Sequence, residues 1–549
     1  MKRKAVAAVL TAVMVASMFT GCGSDNGSSS AKSASAASAA SAASAANDTV
    51  DEDGKVNGIM YQEGLPLVDE GDYTFSIFCD DSSESGEFIM LDEFKKQTNV
   101  DVDLKIYPYE TATERLNLDL NSGDYADVIG GWTLSDNAIL TYGVNQGVFI
   151  PLEDYFEKYC PNISAILDLP GVREKMTAPD GHIYTIPYVC GDTTVGYSPY
   201  INTKWLENVG MSMPTTTDEF EAVLKAFKEQ DANGNGDASD EIPFSTDPNN
   251  KHIEAMAGYF GLPMNKLGIA IQDEKVVYGG VSNTYREFLS WFHKLYADGL
   301  VDVELYTQDS STWEGKGNQD LYGVSIAYGS NEFTGIPAAE ERGDFDSMPV
   351  LNTDKGGIWL RDTEGFSVYR TQAVITNKAE HPEIICRWFD NAFALENGIG
   401  CNRGPVGVIV NKEDDGYHAI DTTTLSEEDQ EKYSWGNLWP QSLPKYLPVD
   451  FEFVEEHPMY DEKKATEEAY EANLTKEIIP SYWIDLDKID TFSDTNTAIK
   501  DFFEQQQAQF VCGELDIDND ADWQAYVDGM YSLGLEDWVA TQGIEEIAK

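Results

Sequence analysis

The stretch that most restricts the fold runs from Thr74 to Gly131. Thr74 to Cys79 is a short apolar run with strand character, and it ends in Asp80-Asp81-Ser82-Ser83. A helix is expected over 87–97, with Phe88, Met90, Leu91 and Phe94 on its apolar face. Residues 100–106 alternate apolar and polar, as a half-buried strand does. A second helix, with Leu116 and Leu120 on one side, leads to Asp127-Val128-Ile129-Gly130-Gly131, a strand running into glycines. Strand–helix–strand–helix–strand is the order of an α/β sheet with crossover connections. Ligands of such open sheets sit beyond the carboxyl ends of the strands. Asp80 to Ser83 and Gly130 to Trp132 therefore fall on one rim.

After Gly196-Tyr197 the texture changes. Thr216 with Glu219 forms a capping box, and Phe220, Val223, Leu224 and Phe227 make one helical face. From there to about Tyr328 the chain reads as mostly helical, including 285–300, and this is taken as a second lobe. Residues 366–376 return to a β-like run. Pro382 suits the first position of a helix that carries Ile384, Ile385, Trp388 and Phe389. The last hundred or so residues read as helical, with core stripes at Ile499, Phe502 and Phe503 and at Trp523, Tyr526, Val527, Met530 and Leu533.

The strongest chemical signal is the loop 231–243, where Asp231, Asn233, Asn235, Asp237 and Ser239 alternate with small residues before Asp240 and Glu241. A hard cation takes six to eight oxygen ligands, and a tight glycine-bearing turn lets alternate side chains converge on it. Calcium is the leading reading. The spacing departs from an EF-hand: Gly236 holds the sixth place, but the twelfth is Ile242. An Asx-rich surface turn without metal is the alternative.

Lys2-Arg3-Lys4 precedes an apolar run from Ala5 to Phe19 that is too short to span a bilayer comfortably and has the layout of a secretory signal. Phe19-Thr20-Gly21-Cys22 resembles a bacterial lipobox, with Phe19 in place of the usual leucine, which would make Cys22 the lipidated first residue of the mature chain; an ordinary cleaved signal with a chance cysteine is the alternative. Residues 23–47 are nearly all Ser, Ala and Gly, a flexible tether. About 35 residues of such coil span roughly 30–35 Å. The segments are a signal over 1–21, lipidated cysteine and tether over 22–57, lobe 1 over 58–195, lobe 2 over 196–368, and a return to lobe 1 with C-terminal helices over 369–549, some of them going back to lobe 2.

A net charge of −59 argues against nucleic acid and makes a neutral ligand the simpler expectation. Seven cysteines leave six once Cys22 is set aside, an even number that an exported protein can pair. They contain no CxxC and their pairing stays open.

Several stretches in order resemble the extracellular solute-binding proteins of bacterial carbohydrate ABC transporters, in particular their large oligosaccharide-binding lipoproteins. They are Asn121-Ser-Gly-Asp-Tyr-Ala-Asp-Val-Ile-Gly-Gly131, Phe149-Ile-Pro-Leu-Glu-Asp154, Ile201-Asn-Thr-Lys-Trp-Leu206 and Met213-Pro-Thr-Thr-Thr-Asp-Glu-Phe220. The loop through Pro243, Leu295-Tyr-Ala-Asp-Gly-Leu300, Cys512-Gly-Glu-Leu-Asp516 and Asp522-Trp-Gln-Ala-Tyr526 complete the series. The resemblance implies two α/β lobes of the periplasmic-binding-protein type, joined by hinge strands at about 190–197 and 366–372, with sugar in the cleft. It implies a structural calcium remote from the sugar, held by Asp231, Asn233, Asn235, Asp237, Asp240 and Glu241; the loop is one residue longer than the commoner form, which leaves Asp237 or Ser239 as the contributor. It also implies a monomer anchored at the outer face of the cell membrane, with ABC permease subunits as partners.

Sugar sites combine aromatic platforms with polar side chains that exchange hydrogen bonds with hydroxyls. Trp132 is the first stacking candidate, against packing on the rim, and Asp80 follows, against helix capping. Trp313 and Tyr328 are candidates on the second lobe, Trp359 and Arg361 ahead of the second crossing, and Arg403 and Trp439 beyond it. For each of these six, a core or surface role is the alternative. A secreted glycoside hydrolase with paired carboxylates and a cell-surface glycan adhesin are the competing functions. With 96 acidic residues, proximity of two acids carries no information, and no GxSxG, HExxH or phosphate-binding loop occurs.

Overall fold

The computed structural model describes residues 48–81, 87–248, 252–335, 344–449, 451, 453–454, 458–544 and 546–548. The expected signal, Cys22, the tether up to residue 47, and Ser82 and Ser83 lie outside them. No helix among the described residues is long and apolar enough to cross a membrane.

The chain opens as β1 (Tyr73–Asp80), α1 (Ile89–Thr98), β2 (Val100–Tyr107), α2 (Tyr109–Ser122) and β3 (Val128–Gly130). β1 lies parallel to both β2 and β3, in register from Tyr73 opposite Val100 to Asp80 opposite Tyr107, and with Cys79 opposite Gly130. The rim expected from the sequence is therefore present, with Asp80 and Gly130 at adjacent strand ends.

β4 (Thr185–Gly191) ends this part of the chain, and β5 (Ser198–Asn202) begins a second sheet. Then come α3 (Thr217–Glu229), β6 (Ile242–Thr246), α4 (Asn283–Ala297), β7 (Tyr322–Ala327) and β8 (Phe345–Ser347). The second sheet has the order β8-β5-β7-β6, with β7 parallel to β6 and antiparallel to β5. This part was expected to be mostly helical. Its strands β5, β6 and β7 are five or six residues long and almost wholly buried, so they lack the alternation that marks a half-exposed strand.

β9 (Phe366–Ile375) returns to the first sheet, whose order is β2-β1-β3-β9-β4. It pairs antiparallel with β3 and with β4. Tyr369 faces Tyr188 and Ala373 faces Ile186, so four steps along β9 match two along β4 and the strand bulges at 370–372. The bulge places Arg370, which is buried, across Asp136: Nε donates at 2.8 Å and Nη2 at 2.5 Å. Nη2 also donates to the Tyr482 carbonyl, and the guanidinium lies 4.2 Å from the Trp483 ring. One side chain thus ties the returning strand to two distant segments.

α5 (Pro382–Ala392) covers the first sheet, with Pro382 in its first turn as expected. There Trp388 stacks on Trp439 at 5.8 Å and meets Phe94 and Phe75 edge-on. α6 (Pro458–Tyr470), α7 (Ile489–Cys512) and α8 (Asp520–Ser532) follow. Tyr470 donates to the Met348 carbonyl at 2.8 Å. Ile499, Phe503, Phe510, Trp523 and Tyr526 share one core with Phe288, Phe292 and Phe244. The C-terminal stripes are core positions, and the core they complete is that of the second sheet.

Replacing Arg370 by alanine removes a bidentate partner from Asp136 and opens space beside Trp483. The expected loss is about 2 kcal/mol of unfolding free energy, read as a lower urea midpoint at unchanged slope; an unchanged midpoint would show that the bulge holds without it.

Candidate functional site

Strand periodicity builds the site. Along β9, Phe366 and Val368 pack on the first sheet's core, so Ser367 and Tyr369 point to the opposite side. Tyr188 lies directly across from Tyr369, and their rings stack at 5.3 Å. Trp132 meets the Tyr369 ring edge-on at 5.5 Å and is 46% exposed. Just past β4, the Asp192 carboxylate accepts from Ser367 Oγ at 2.5 Å and Tyr369 OH at 3.2 Å. It also accepts from Tyr328 OH, at 3.4 Å. Tyr328 stands at the end of β7, in the other sheet. From it the series continues to Tyr197, edge-on at 6.0 Å, and on to His252, stacked on Tyr197 at 4.0 Å. Six rings and one carboxylate thus run from the first sheet to the second.

The rim turn that presents Trp132 is built by Asp80. Its buried carboxylate accepts the backbone N–H of Trp132 at 2.9 Å and of Thr133 at 2.6 Å. Burial raises its pKa, while those two N–H bonds oppose the rise. Gly131 has φ +137°, and a Cβ there would lie 2.4 Å from Asp80 Oδ1, so only glycine fits. Asp80 is a positioning residue for Trp132 rather than a cleft-facing group.

Three other candidates sit in cores. Trp439 is fully buried, with Nε1 donating to the Leu443 carbonyl at 3.3 Å. Trp359 is 1% exposed, between Tyr259 and Tyr470. Trp313 is 3% exposed against Phe333, with Nε1 bonded to Ser325 Oγ. Each ring is covered by neighbouring side chains, and where the indole N–H is bonded its partner is internal; none presents a stacking face. Arg361 bonds the Thr475 carbonyl and reaches Glu471 at 3.4 Å. Arg403 lies over the Phe453 ring at 5.6 Å and donates to the Asn402 carbonyl. Neither joins the ring series. Trp132 and Tyr328 do. Tyr188, Asp192, Tyr197, His252, Ser367 and Tyr369 were not singled out from the sequence, although all but His252 lie at or beside the two expected crossings.

α6 braces the second half of the site. Lys463 donates to the Gly196 carbonyl at 2.8 Å and sits 3.7 Å from the Tyr328 ring. Burial lowers its pKa to about 8, against the pull of Glu332 and Glu462. Glu332 accepts the Tyr328 N–H at 2.9 Å, and burial raises its pKa to about 7. His252 is pushed down to about 3 by burial and then by Lys266, so it is neutral at ordinary pH.

The loop after α3 stands apart from this ring series. Asp231 Oδ2 accepts Gly236 N–H at 3.0 Å, Asn233 Oδ1 accepts Asn235 N–H at 3.0 Å, and Asn235 Oδ1 accepts Asp237 N–H at 2.7 Å. Asp237 Oδ1 takes Ser239 Oγ at 2.6 Å, and Asp240 takes the amides of Asn233 and Asn235. Glu241 Oε1 accepts Ala232 N–H at 2.9 Å. Left over are Asp231 Oδ1 and Glu241 Oε2, both buried and without a hydrogen-bond partner. Two orphaned carboxylate oxygens fit a hard cation.

A family model described as bacterial extracellular solute-binding protein matches residues 81–398. The chain belongs to that family. It is 34% identical over 335 residues to the fructooligosaccharide ABC transporter substrate-binding protein FusA of Streptococcus pneumoniae serotype 4, a match that takes in 59% of this chain and 61% of FusA. The fold superposes on FusA in complex with kestose with a TM-score of 0.75 and 26% identity, covering 85% of this chain and 98% of that one. An EF-hand mutant of FusA with fructo-nystose gives 0.73 and 27% identity over the same shares. These relatives are binding proteins for transport, and the two-lobed α/β fold with a helical C-terminal part is theirs as well.

Glu332 yields a pH test. Its folded pKa of about 7 lies above the ordinary 4.5, so between those values the native state holds a proton that the unfolded chain has lost. Stability from this group is full below about pH 4.5 and falls as pH rises towards 7. Glu332→Gln keeps an acceptor for the Tyr328 N–H and should flatten that limb of the thermal-midpoint profile; an unchanged slope would place the titration elsewhere.

Proposed function

We propose that the protein captures a neutral oligosaccharide between its two lobes and delivers it to an ABC importer. The observation that carries this reading is the unbroken series from Trp132 through Tyr369 and Tyr328 to His252. It joins residues at the ends of both sheets and combines ring faces with hydroxyls, as sugar recognition requires. Ligand held by both halves favours the closed arrangement, because only that arrangement makes both sets of contacts. Fructooligosaccharides, the class in the FusA description, are the first ligands to test. In this reading the protein performs no chemistry on the sugar, acts as a monomer, and is held by a lipid on Cys22 at the outer face of the membrane.

Calcium belongs to the same reading. Asp231, Asn233, Asn235, Asp237, Asp240 and Glu241 would hold it, and the ion would supply the counter-charge that Asp231 Oδ1 and Glu241 Oε2 lack. It would brace the connection from α3 to β6.

Trp132→Ala should weaken kestose binding about tenfold or more, roughly 1.4 kcal/mol, by titration calorimetry. The intact protein should give a single-site heat and no new sugar species on chromatography; product formation would overturn the binding-only reading. Chelation should lower the melting temperature by several degrees, with a loss of about 2–4 kcal/mol, and leave the affinity of the folded fraction within about twofold, or 0.4 kcal/mol. Loss of binding at an unchanged melting temperature would contradict the bracing role.

A further inference from the structure

We infer that Asp192 receives the hydroxyl groups of the bound sugar and selects neutral oligosaccharides over uronic-acid ones, an inference that rests on the cleft reading above. Asp192 follows β4 directly, on the segment that leaves the first sheet for the second. Oδ1 accepts Thr193 N–H at 2.8 Å and Tyr328 OH at 3.4 Å; Oδ2 accepts Ser367 Oγ and Tyr369 OH. Three of its four partners are therefore hydroxyls, and they come from both halves of the molecule.

A hydroxyl both donates and accepts, and it turns freely about its bond to carbon. A sugar diol brings the same group. Exchanging tyrosine hydroxyls for sugar hydroxyls on this carboxylate leaves the acid satisfied, and each released phenol is free to bond the incoming ring or water. The Tyr328 contact, long for an O–H···O bond, is the one exchanged first. The acid is half-buried among the rings of Tyr188, Tyr328 and Tyr369, so one sugar can stack and hydrogen-bond at the same place.

Charge gives the selectivity. Among the described residues no ion pair neutralises Asp192. Lys463, whose charge interacts with that of Asp192, is engaged by the Gly196 carbonyl and the Tyr328 ring. Its negative field is felt nearby: the Cys190 thiol is pushed up to about 12, first by burial and then by Asp192. A uronate carboxylate placed against this group meets like charge where a neutral diol meets an acceptor, which is discrimination by repulsion.

The test is calorimetry with kestose and with trigalacturonic acid on intact protein and on Asp192→Asn. Intact protein should bind kestose and prefer it to the acidic trisaccharide by at least tenfold. Asp192→Asn should weaken kestose at least tenfold and narrow that preference. Melting curves taken alongside separate binding from folding. Asp192→Asn binding both sugars as intact protein does would overturn this inference alone. Failure of intact protein to bind kestose or any other neutral oligosaccharide would overturn the cleft reading with it. A loss in Asp192→Asn that spares the kestose preference would make Asp192 a structural brace and overturn the inference.

Discussion

The antiparallel pairing of β4 with β9 is the constraint on which the rest depends. It joins strands separated by the 174 residues from 192 to 365, which include every strand of the second sheet. Because both strands connect the two sheets, their pairing fixes where the chain leaves the first half and where it returns. The alternation of side chains then does the rest. Outward positions on both strands, Tyr188, Ser367 and Tyr369, collect on one face at the point where the halves meet. A shift of one residue in register would turn these groups into the core and bring Phe366 and Val368 into the cleft.

Much of this was legible in the sequence. The parallel β1–β2–β3 unit announces itself because its strands are long or glycine-terminated and its helices amphipathic, and the rim at Asp80 and Trp132 follows from that order alone. The resemblance implied crossings near 190–197 and 366–372, and the chain leaves the first sheet after Gly191 and re-enters it at Phe366. The second sheet was not legible: β5, β6 and β7 are short and buried on both faces, and β8 is only three residues long, so no period-two signal survives in them.

The site was half legible for a related reason. Sequence reasoning favoured tryptophans, and the tryptophan side chain is large enough to serve equally as a stacking face or as the centre of a core. Trp313, Trp359 and Trp439 are core centres, whereas Trp132 keeps an exposed ring because Asp80 and Gly131 turn the backbone out at the strand end. Tyrosines at alternate positions on paired strands carried the better signal, but reading them requires knowing which strand pairs with which. The Asp231 loop was visible from composition because local turns make their own geometry, yet that loop lies outside the ring series.

α7 has a mechanical consequence. It is 24 residues long, about 36 Å as a straight helix. Ile489 in its first turn packs with Leu134 and Ile139 beside the first sheet, Phe492 touches both cores, and Ile499, Phe503 and Phe510 are embedded in the second. Ser493 accepts from the Asn137 amide at 3.2 Å. The two halves are therefore skewered on one rod as well as joined by the crossing strands. A rod clamped firmly at one end and lightly at the other tolerates swivelling about its lightly held tip and resists sliding. Any swing of one half against the other would be steered by that rod, with the opening turn of α7 as its fulcrum.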